Sequence, residues 1–320
     1  MKSKPIIIIT GEPNSVFFEI FFKSIKLRLY KSPLILICCE KILRKQMKKN
    51  KFNKNINVIK LNDLKKYKLN NESLNVINVE CKKLNKNFNT KMTNQYLESS
   101  FKLALKLLNN KFSNKLINGP INKKSFLNKK FLGITEYISK KYRAKKTAML
   151  IYNKDLSVCP VTTHLPIKLV AKNITKKLIE EKISLIDTFF REKLNYKPKI
   201  AVTGMNPHCE SILNFNEDDK IVSKAIISQK KKGIYVSGPF SADTIFLKKN
   251  RKKFNVILGM YHDQVLAPIK TLYEFDAINI TMGLPFLRIT PDHGPNEKMQ
   301  GKNISSPISL IKALNFLDKR

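Results

Sequence analysis

The chain alternates short runs of aliphatic, often β-branched residues with longer segments whose apolar positions recur at helical spacing. The first run, residues 6–10, contains four consecutive isoleucines, which is typical of a strand buried on both faces of a parallel sheet. Similar runs predict further strands at residues 34–38, 56–59, 76–79, 115–118, 148–152, 157–162, 199–204, 233–237, 255–260 and 277–282. Apolar stripes predict helices at residues 94–108, 174–194, 218–230 and 307–317. This alternation predicts an α/β fold with a mainly parallel sheet.

Length and charge narrow the classes of protein that fit this pattern. The 320 residues, 42% of them hydrophobic, are enough for about two domains with real cores. The net charge of +37 at first favours a nucleic-acid ligand. Only seven of the 61 basic residues are arginine, however, and arginine is the residue best suited to bidentate contacts with phosphates and bases. We therefore interpret the lysine excess as a solvated surface and do not expect nucleic acid as a partner.

The cysteines and the N-terminus bear on the cellular compartment. The five cysteines are odd in number and form no CxxC pair, which favours reduced thiols. The apolar stretch near the N-terminus is too short for a signal-peptide core, and no run approaches the roughly 20 apolar residues of a membrane span. We therefore expect a cytoplasmic protein with no membrane partner.

The histidines carry the most informative chemistry. His164, His208 and His262 each follow an apolar strand candidate within a few residues. Ligands of an open α/β sheet bind beyond the carboxyl ends of the strands, so histidines at three such ends can converge. Three imidazoles with an open position suit a divalent metal such as Zn²⁺ or another transition ion. The alternative is an ordinary loop or capping role for each, and the equivalent placement of all three favours the metal site.

Charged and amide side chains extend the candidate site. Asp263 directly follows His262, where it could orient the imidazole, act as a base or cap a helix. Lys270, Asn279 and Arg288 offer two cations and an amide that suit the phosphate and carboxylate of one small substrate. Arg288 lies in an otherwise apolar run, where a structural ion pair is the alternative. Neither GxGxxG nor a P-loop occurs in the sequence.

A series of short motifs runs through nearly the whole chain. In order, they are Gly11-Glu12-Pro13, Asn118-Gly119-Pro120-Ile121-Asn122-Lys123, Gly133-Ile134-Thr135-Glu136, Val161-Thr162-Thr163-His164, Asn206-Pro207-His208, Gly238-Pro239-Phe240-Ser241-Ala242-Asp243, Met260-Tyr261-His262-Asp263-Gln264, Gly283-Leu284-Pro285 and Pro291-Asp292-His293-Gly294. Each motif is weak alone, but the ordered series is specific. It resembles the 4-hydroxythreonine-4-phosphate dehydrogenase family of pyridoxal phosphate biosynthesis.

This resemblance implies a two-lobed fold like that of the isocitrate and isopropylmalate dehydrogenases, with the active site in a cleft between the lobes. The expected lobes are residues 1–140 with 285–320, on the dinucleotide side, and residues 141–284, on the metal and dimer side. It also implies a homodimer whose active sites are shared between subunits, with His262 as the metal ligand that reaches across.

The family pattern assigns roles residue by residue. Its ligands for a divalent ion (Zn, Mg or Co) correspond to His164, His208 and His262. Its substrate contacts correspond to Thr135, Lys270, Asn279 and Arg288. The loop that holds the adenosine end of NAD or NADP corresponds to His293 and Gly294.

The implied reaction is NAD-dependent oxidation of 4-phosphohydroxy-L-threonine to a β-keto acid, which decarboxylates to 3-amino-2-oxopropyl phosphate. Asp263 and Asp243 are the two candidate acceptors for the hydroxyl proton. The chain departs from the family pattern at Ile134, a position where the family usually has His. Two alternatives therefore stay open: a related dehydrogenase for another phosphorylated four-carbon hydroxy acid or a carboxylated dihydrodiol, and a non-catalytic basic binding protein on the same fold.

Overall fold

The computed structural model of the protein describes residues 3–81, 90–127, 131, 133–212, 215–291 and 296–320. Strands and helices alternate along this part of the chain, which confirms the predicted α/β fold. The chain divides into two compact units, one of Met1–Ile134 with Pro285–Arg320 and the other of Thr135–Leu284. Among the described helices, none combines the length and the apolar character needed to span a membrane.

The first unit is built on a sheet of parallel strands. These strands are β1 (Ile6–Ile9), β2 (Leu34–Cys38), β3 (Ile56–Val58), β4 (Leu74–Asn78), β5 (Lys115–Asn118) and β12 (Leu287–Pro291). Their spatial order is β3-β4-β2-β1-β5-β12, and each neighbouring pair runs parallel. β1 lies inside this sheet, and its isoleucines are fully buried because both faces are covered.

Helices cover the first sheet. They are α1 (Phe17–Leu27), α2 (Glu40–Lys49), α3 (Thr90–Asn109), α4 (Lys123–Leu127) and α12 (Ile308–Asp318). The phenylalanines of α1 supply much of the core: Phe17 and Phe21 are fully buried and stack on each other. α12 returns from the far end of the chain to pack on α1 and β12.

The second unit is built on a mixed sheet. Its strands are β6 (Ala148–Tyr152), β7 (Ser157–Pro160), β8 (Ile200–Thr203), β9 (Val236–Phe240), β10 (Val256–Gly259) and β11 (Ile278–Met282). Their spatial order is β11-β6-β7-β10-β8-β9. β7, β10, β8 and β9 run parallel, whereas β6 is antiparallel to both of its neighbours. All eleven strand segments predicted from the sequence overlap a strand of one unit or the other.

The helices of the second unit surround this sheet. They are α5 (Ile134–Lys141), which starts at the last residue of the first unit, α6 (Val170–Asn173), α7 (Lys176–Phe189), α8 (Lys224–Lys231), α9 (Ala242–Ile245), α10 (Lys248–Arg251) and α11 (His262–Tyr273). Val265 and Ile269 of α11 pack into a core with Val158, Ala201 and Ile257 of the parallel strands. This packing fixes α11, which follows β10 in the chain, against the parallel strands.

Two predicted helices differ from the observed ones. In the segment 174–194 the helix starts after Thr175, whose hydroxyl accepts a hydrogen bond from the Leu178 N–H at 3.2 Å. The segment ends in a wider helical turn, Phe190–Leu194. The segment 218–230 opens with another wide turn, Asp218–Ser223, before α8. Apolar spacing locates a helical segment but does not distinguish a turn of 3.6 residues from a wider one.

Candidate active site

The predicted metal histidines follow three neighbouring parallel strands. β7, β10 and β8 lie side by side in that order, so their carboxyl ends line one edge of the sheet. His164, His262 and His208 come within five residues of the ends of these respective strands. The structure therefore places the three histidines along one edge of one sheet, where the sequence predicted that ligands would bind.

Two of the histidines are close together. The ring centroids of His164 and His262 are 6.1 Å apart, with the planes tilted by 38°. His262 Nδ1 lies 2.8 Å from Asp263 Oδ1, so Nε2 is the ring nitrogen left for a ligand. Asp263 is the second residue of α11 rather than its N-cap, which is Tyr261. A carboxylate on the second nitrogen of an imidazole is the usual support for a metal-binding histidine.

Gln264 joins the ends of β8 and β10. Its Oε1 accepts hydrogen bonds from the Thr203 hydroxyl and from the Met260 N–H, both at 2.7 Å, and its Nε2 donates to the Gly204 carbonyl at 2.8 Å. One side-chain amide thus fixes the strand end before His208 relative to the strand end before His262. This role of Gln264 was not predicted from the sequence, where the only signal is its position two residues after His262.

The loop that carries His208 is held by a buried carboxylate. His208 and Cys209 both have left-handed backbone angles, with φ of 57° and 62°. Asp218, fully buried, accepts the N–H groups of Met205 at 2.6 Å and Asn206 at 3.0 Å. Residues in this sparsely populated region persist only where the surroundings fix them, and such positions cluster at functional sites.

The donor chemistry of the paired imidazoles fits a divalent transition ion. With a ring nitrogen about 2.1 Å from an ion, the centroids of two imidazoles on that ion lie roughly 5 to 6 Å apart. Within one chain the centroids of His164 and His262 are 6.1 Å apart, slightly beyond this range. These two histidines do not form a complete site alone: in the part of the chain that the structure describes, no three His, Cys, Asp or Glu side chains are grouped to hold a metal.

Asp243 lies on the exposed surface near the His208 loop. It is in the first turn of α9, and its charge reaches Cys209, the neighbour of His208. Burial, the Asp218 charge and, more weakly, the Asp243 charge raise the pKa of the Cys209 thiol against a lowering hydrogen bond from Ser241. The two candidate bases therefore differ, because Asp263 is engaged with an imidazole while Asp243 faces solvent beside the loop.

Three predicted substrate contacts belong to the second unit. Lys270 is half-buried on α11, where no helix was predicted, and burial lowers the pKa of its ammonium. Asn279 lies on β11, and its buried Oδ1 has no hydrogen-bond partner among the described residues. Thr135 is in the first turn of α5, with its hydroxyl 3.5 Å from that of Thr281 on β11. Asn279 and Thr281 point to the same face of that strand, so Thr135 and Asn279 share a face.

The fourth predicted contact, Arg288, belongs to the first unit. It lies on β12, is only 4% exposed, and donates from Nε to Asn118 Oδ1 at 2.9 Å. The Thr290 hydroxyl donates to the same oxygen at 3.1 Å. Asn118, the last residue of β5, therefore fixes the guanidinium at a strand end.

The motifs around Gly11 and Pro120 form one crossing of two loops. Gly11 has φ of 78°, and a Cβ there would collide with the Pro120 carbonyl oxygen, so only glycine fits. The Glu12 N–H donates to that carbonyl at 2.9 Å, while the buried Glu12 carboxylate accepts the Asn122 N–H at 3.0 Å. The sequence showed these as separate motifs; the structure shows that each holds the other.

The predicted cofactor residues His293 and Gly294 lie outside the described residues. The segment after them is described from Asn296 onward and includes the turn Glu297–Met299. Gln300 Nε2 donates to the Ser15 carbonyl at 3.4 Å, which attaches this segment to the loop after β1.

Comparisons with known proteins place these features in a family. A family model described as pyridoxal phosphate biosynthetic protein PdxA matches residues 30–317. A 4-hydroxythreonine-4-phosphate dehydrogenase from Sulfurihydrogenibium sp. is 37% identical over 316 residues, 97% of this chain and 96% of the relative. The solved structure of the Klebsiella pneumoniae 4-hydroxythreonine-4-phosphate dehydrogenase aligns with a TM-score of 0.83 at 26% identity, over 98% of both chains.

A more distant solved structure shares only the fold. It is a terephthalate 1,2-cis-dihydrodiol dehydrogenase from Burkholderia xenovorans, with a TM-score of 0.66 and 16% identity over 99% of this chain and 98% of that one. The family match and the full-length relative are decisive, and they agree with the ordered motifs. The chain belongs to the PdxA family of pyridoxal phosphate biosynthetic proteins.

Proposed function

We propose that the protein is a 4-hydroxythreonine-4-phosphate dehydrogenase that oxidises 4-phosphohydroxy-L-threonine with NAD(P) and a divalent metal. The observation that carries the proposal is the row of histidines beyond β7, β10 and β8, with the His262 imidazole held by Asp263. Relatives of that name span nearly the whole chain, which supports the substrate assignment.

In the proposed reaction the secondary alcohol loses a hydride to the nicotinamide and a proton to a base. NAD(P)⁺ becomes NAD(P)H, and the alcohol becomes a ketone next to the carboxylate-bearing carbon. The resulting β-keto acid loses CO₂ and leaves 3-amino-2-oxopropyl phosphate. A bound divalent ion supplies Lewis acidity, which lowers the pKa of the alcohol.

The chain's own residues bind and orient the reactants. His164, His208 and His262 are the proposed metal ligands, and Asp263 keeps Nε2 of His262 directed outward. Lys270 and Arg288 are the proposed anchors for the phosphate and carboxylate, since charge-assisted hydrogen bonds to such groups are strong and directional. These anchors would fix the alcohol carbon against the nicotinamide ring.

Of the two candidate bases, Asp243 is the better acceptor for the hydroxyl proton. Protonation of Asp263 would weaken its hydrogen bond to His262, whereas Asp243 carries no such duty toward an imidazole. Asp243→Asn is expected to lower kcat while bound metal is unchanged, and Asp263→Asn to lower metal content first. Metal analysis of both purified variants beside their kinetics separates the two roles, and the opposite pattern would reverse the assignment.

The site is proposed to be completed in a homodimer. No three suitable donors are grouped within the described part of one chain, and the family pattern gives His262 as the ligand from the second subunit. Dimers mixed from His208→Ala and His262→Ala subunits then contain one intact site each. Mixing the two inactive variants is expected to restore about one quarter of wild-type activity. No recovery, with mixed dimers verified, would place all three ligands in one chain.

The direct test of function is turnover. Purified protein is assayed for NADH or NADPH formation with 4-phosphohydroxy-L-threonine, other phosphorylated hydroxy acids and a carboxylated dihydrodiol, each with Zn²⁺, Mg²⁺ or Co²⁺. Because Ile134 replaces the family's usual His and is buried, this substrate panel also measures the consequence of that change. His208→Ala should lose bound metal and activity, while the exposed neighbour variant Glu210→Ala should keep both. Salt-sensitive nucleic-acid binding without turnover on any substrate would favour the non-catalytic alternative.

A further inference from the structure

A lysine-lined cavity lies in the first unit, and none of its lining residues is a metal ligand, substrate contact or base proposed above. Its volume is about 360 Å³, within the range of small-molecule sites. It is lined by Pro13, Asn14, Ile42, Lys45, Gln46, Lys48, Lys49 and Gln300. Three ammonium groups and three amides face the cavity with no carboxylate among them, so the lining selects for an anion.

The walls of this cavity are fixed by hydrogen bonds. Its floor is the loop after β1, to which Gln300 is attached through Ser15. The segment beyond Gln300 is anchored on α1, where Lys23 Nζ donates to the carbonyls of Asn303 and Ser305, both at 2.9 Å. Glu19 of the same helix accepts the Ser305 N–H at 2.8 Å. The wall of the cavity at Gln300 is therefore tethered both to the loop after β1 and, through residues 303–305, to α1.

Gly301 brings one of the lysines into this wall. It has φ of 82°, and a Cβ built there would lie 2.8 Å from Cε and 3.1 Å from Nζ of Lys49. The Lys49 ammonium thus packs against the backbone of the segment that faces α2. A side chain at position 301 would displace this ammonium from its place.

The shape and charge of the lining suit one part of a dinucleotide. Ile42 and Pro13 are the apolar members of the lining, and an apolar wall suits the flat base of a nucleotide. The small phosphorylated substrate carries no such base. The bridging diphosphate of a dinucleotide carries one charge per phosphate, whereas a phosphate monoester carries nearly two at neutral pH. Lysine ammonium groups bind phosphates as point charges, and three of them match a dianion better than a neutral ribose hydroxyl.

We propose that this cavity binds the adenosine 2′-phosphate of NADP and makes the enzyme prefer NADP over NAD. The inference rests on the proposed dehydrogenase function and adds the choice of coenzyme to it. Lys45, Lys48 and Lys49 are the specificity-determining residues, and the amides of Asn14, Gln46 and Gln300 surround the adenosine ribose.

The test compares two charge-matched triple variants. Wild type is expected to have a kcat/KM for NADP roughly 10- to 100-fold above that for NAD, the range of a few charged hydrogen bonds. Lys45→Gln, Lys48→Gln and Lys49→Gln together should abolish this ratio mainly through the KM for NADP. Lys102→Gln, Lys106→Gln and Lys111→Gln, which remove equal charge from exposed positions at α3, should preserve it. An equal preference in wild type, or an unchanged ratio in the first triple variant, would overturn the proposal.

A binding measurement separates this inference from the proposed function. Calorimetric titration with adenosine 2′,5′-bisphosphate needs no turnover and should show binding that the first triple variant loses. Adenosine 5′-monophosphate, which lacks the 2′-phosphate, should bind roughly 10-fold or more weakly. If the protein binds the bisphosphate but turns over no substrate, the proposed phosphate site in the cavity stands and the proposed dehydrogenase function is wrong. Equal binding of the two nucleotides would refute the 2′-phosphate site whatever the activity.

Discussion

Each unit of the protein contains three neighbouring parallel strands whose carboxyl ends carry polar motifs. Different side-chain hydrogen bonds hold the strand ends together in the two units. In the first unit the ends of β1, β5 and β12 are held by Glu12 and by the Asn118–Arg288 hydrogen bond. In the second unit the ends of β7, β10 and β8 are held by Gln264, and the histidines extend beyond the fastened backbone.

In the first unit one residue has both a structural and a proposed binding role, whereas in the second unit these roles belong to different residues. Arg288 is both a proposed substrate anchor and part of the fold, since its guanidinium is buried and binds Asn118. His262 has a partly exposed side chain, and the hydrogen bonds that hold the strand ends are made by Gln264, two residues further on. Substitutions in the first set should therefore cost stability and activity together, whereas histidine substitutions in the second should cost activity alone.

The largest expected effect comes from Arg288→Ala. Losing a buried side chain and its hydrogen bond to Asn118 should lower the free energy of unfolding by about 3 kcal/mol. Activity should fall at least about 100-fold, because an anchor to an anionic group is lost. Urea unfolding and kcat/KM of the same preparation measure both effects.

His262→Ala is the matched control for this comparison. Its free energy of unfolding should stay within about 0.5 kcal/mol of wild type, as for most exposed substitutions, while activity is lost. If both variants lose similar stability, or if Arg288→Ala unfolds like wild type, the contrast between the two sets of strand ends is wrong.

Gln264→Ala tests whether the amide positions the metal ligands. The substitution keeps every imidazole but removes two hydrogen bonds to the end of β8 and one to Met260, directly after β10. Metal affinity should fall about 10- to 100-fold, as for other supports of metal ligands. Isothermal titration with Zn²⁺ and Co²⁺, independent of turnover, measures it. Thr271→Ala, on an exposed face of the same helix, should bind metal like wild type, and unchanged affinity in Gln264→Ala would limit the amide to stability.

The sequence predicts the strands and the edge of the sheet where the candidate site residues lie. It does not predict the side-chain hydrogen bonds that hold the strand ends together. Four isoleucines in a row indicate a buried strand because few other environments accept them. His262 after an apolar run indicates a strand end for the same reason. Gln264 could not be read in this way, since its partner Thr203 lies 61 residues away and a side-chain amide has many possible acceptors.

Helical context was also harder to predict than strands. α11 contains Pro268 and follows a strand closely, so its apolar spacing did not stand out, and no helix was predicted around Lys270. Asn118 and Glu12 were visible as members of motifs. Their roles depend on Arg288 and on the Pro120 loop, which meet them only after the sheet has formed.

Lys270 gives a pH test of the second unit. Burial lowers the pKa of its ammonium, so the charged form that binds a substrate anion is lost earlier as pH rises than for an exposed lysine. The kcat/KM profile should therefore have an alkaline descending limb. Lys270→Arg should move this limb to higher pH because guanidinium stays charged, and Lys270→Met should lower kcat/KM about 10-fold at neutral pH. A limb that stays in place in the arginine variant would assign it to another group.

The smallest expected effect concerns a buried cation at the opposite end of β5, where Lys115 donates from Nζ to the Ser32 hydroxyl at 3.1 Å. Burial lowers the pKa of Lys115, so the unfolded chain binds more protons than the folded one between the lowered and the ordinary pKa. Stability should then rise with pH across that window. Lys115→Met should remove this rise and change the free energy of unfolding by about 1 kcal/mol or less at neutral pH, without loss of activity. If the unfolding of this variant is as pH-dependent as that of wild type, the buried Lys115 cation does not set the pH dependence of stability in this window.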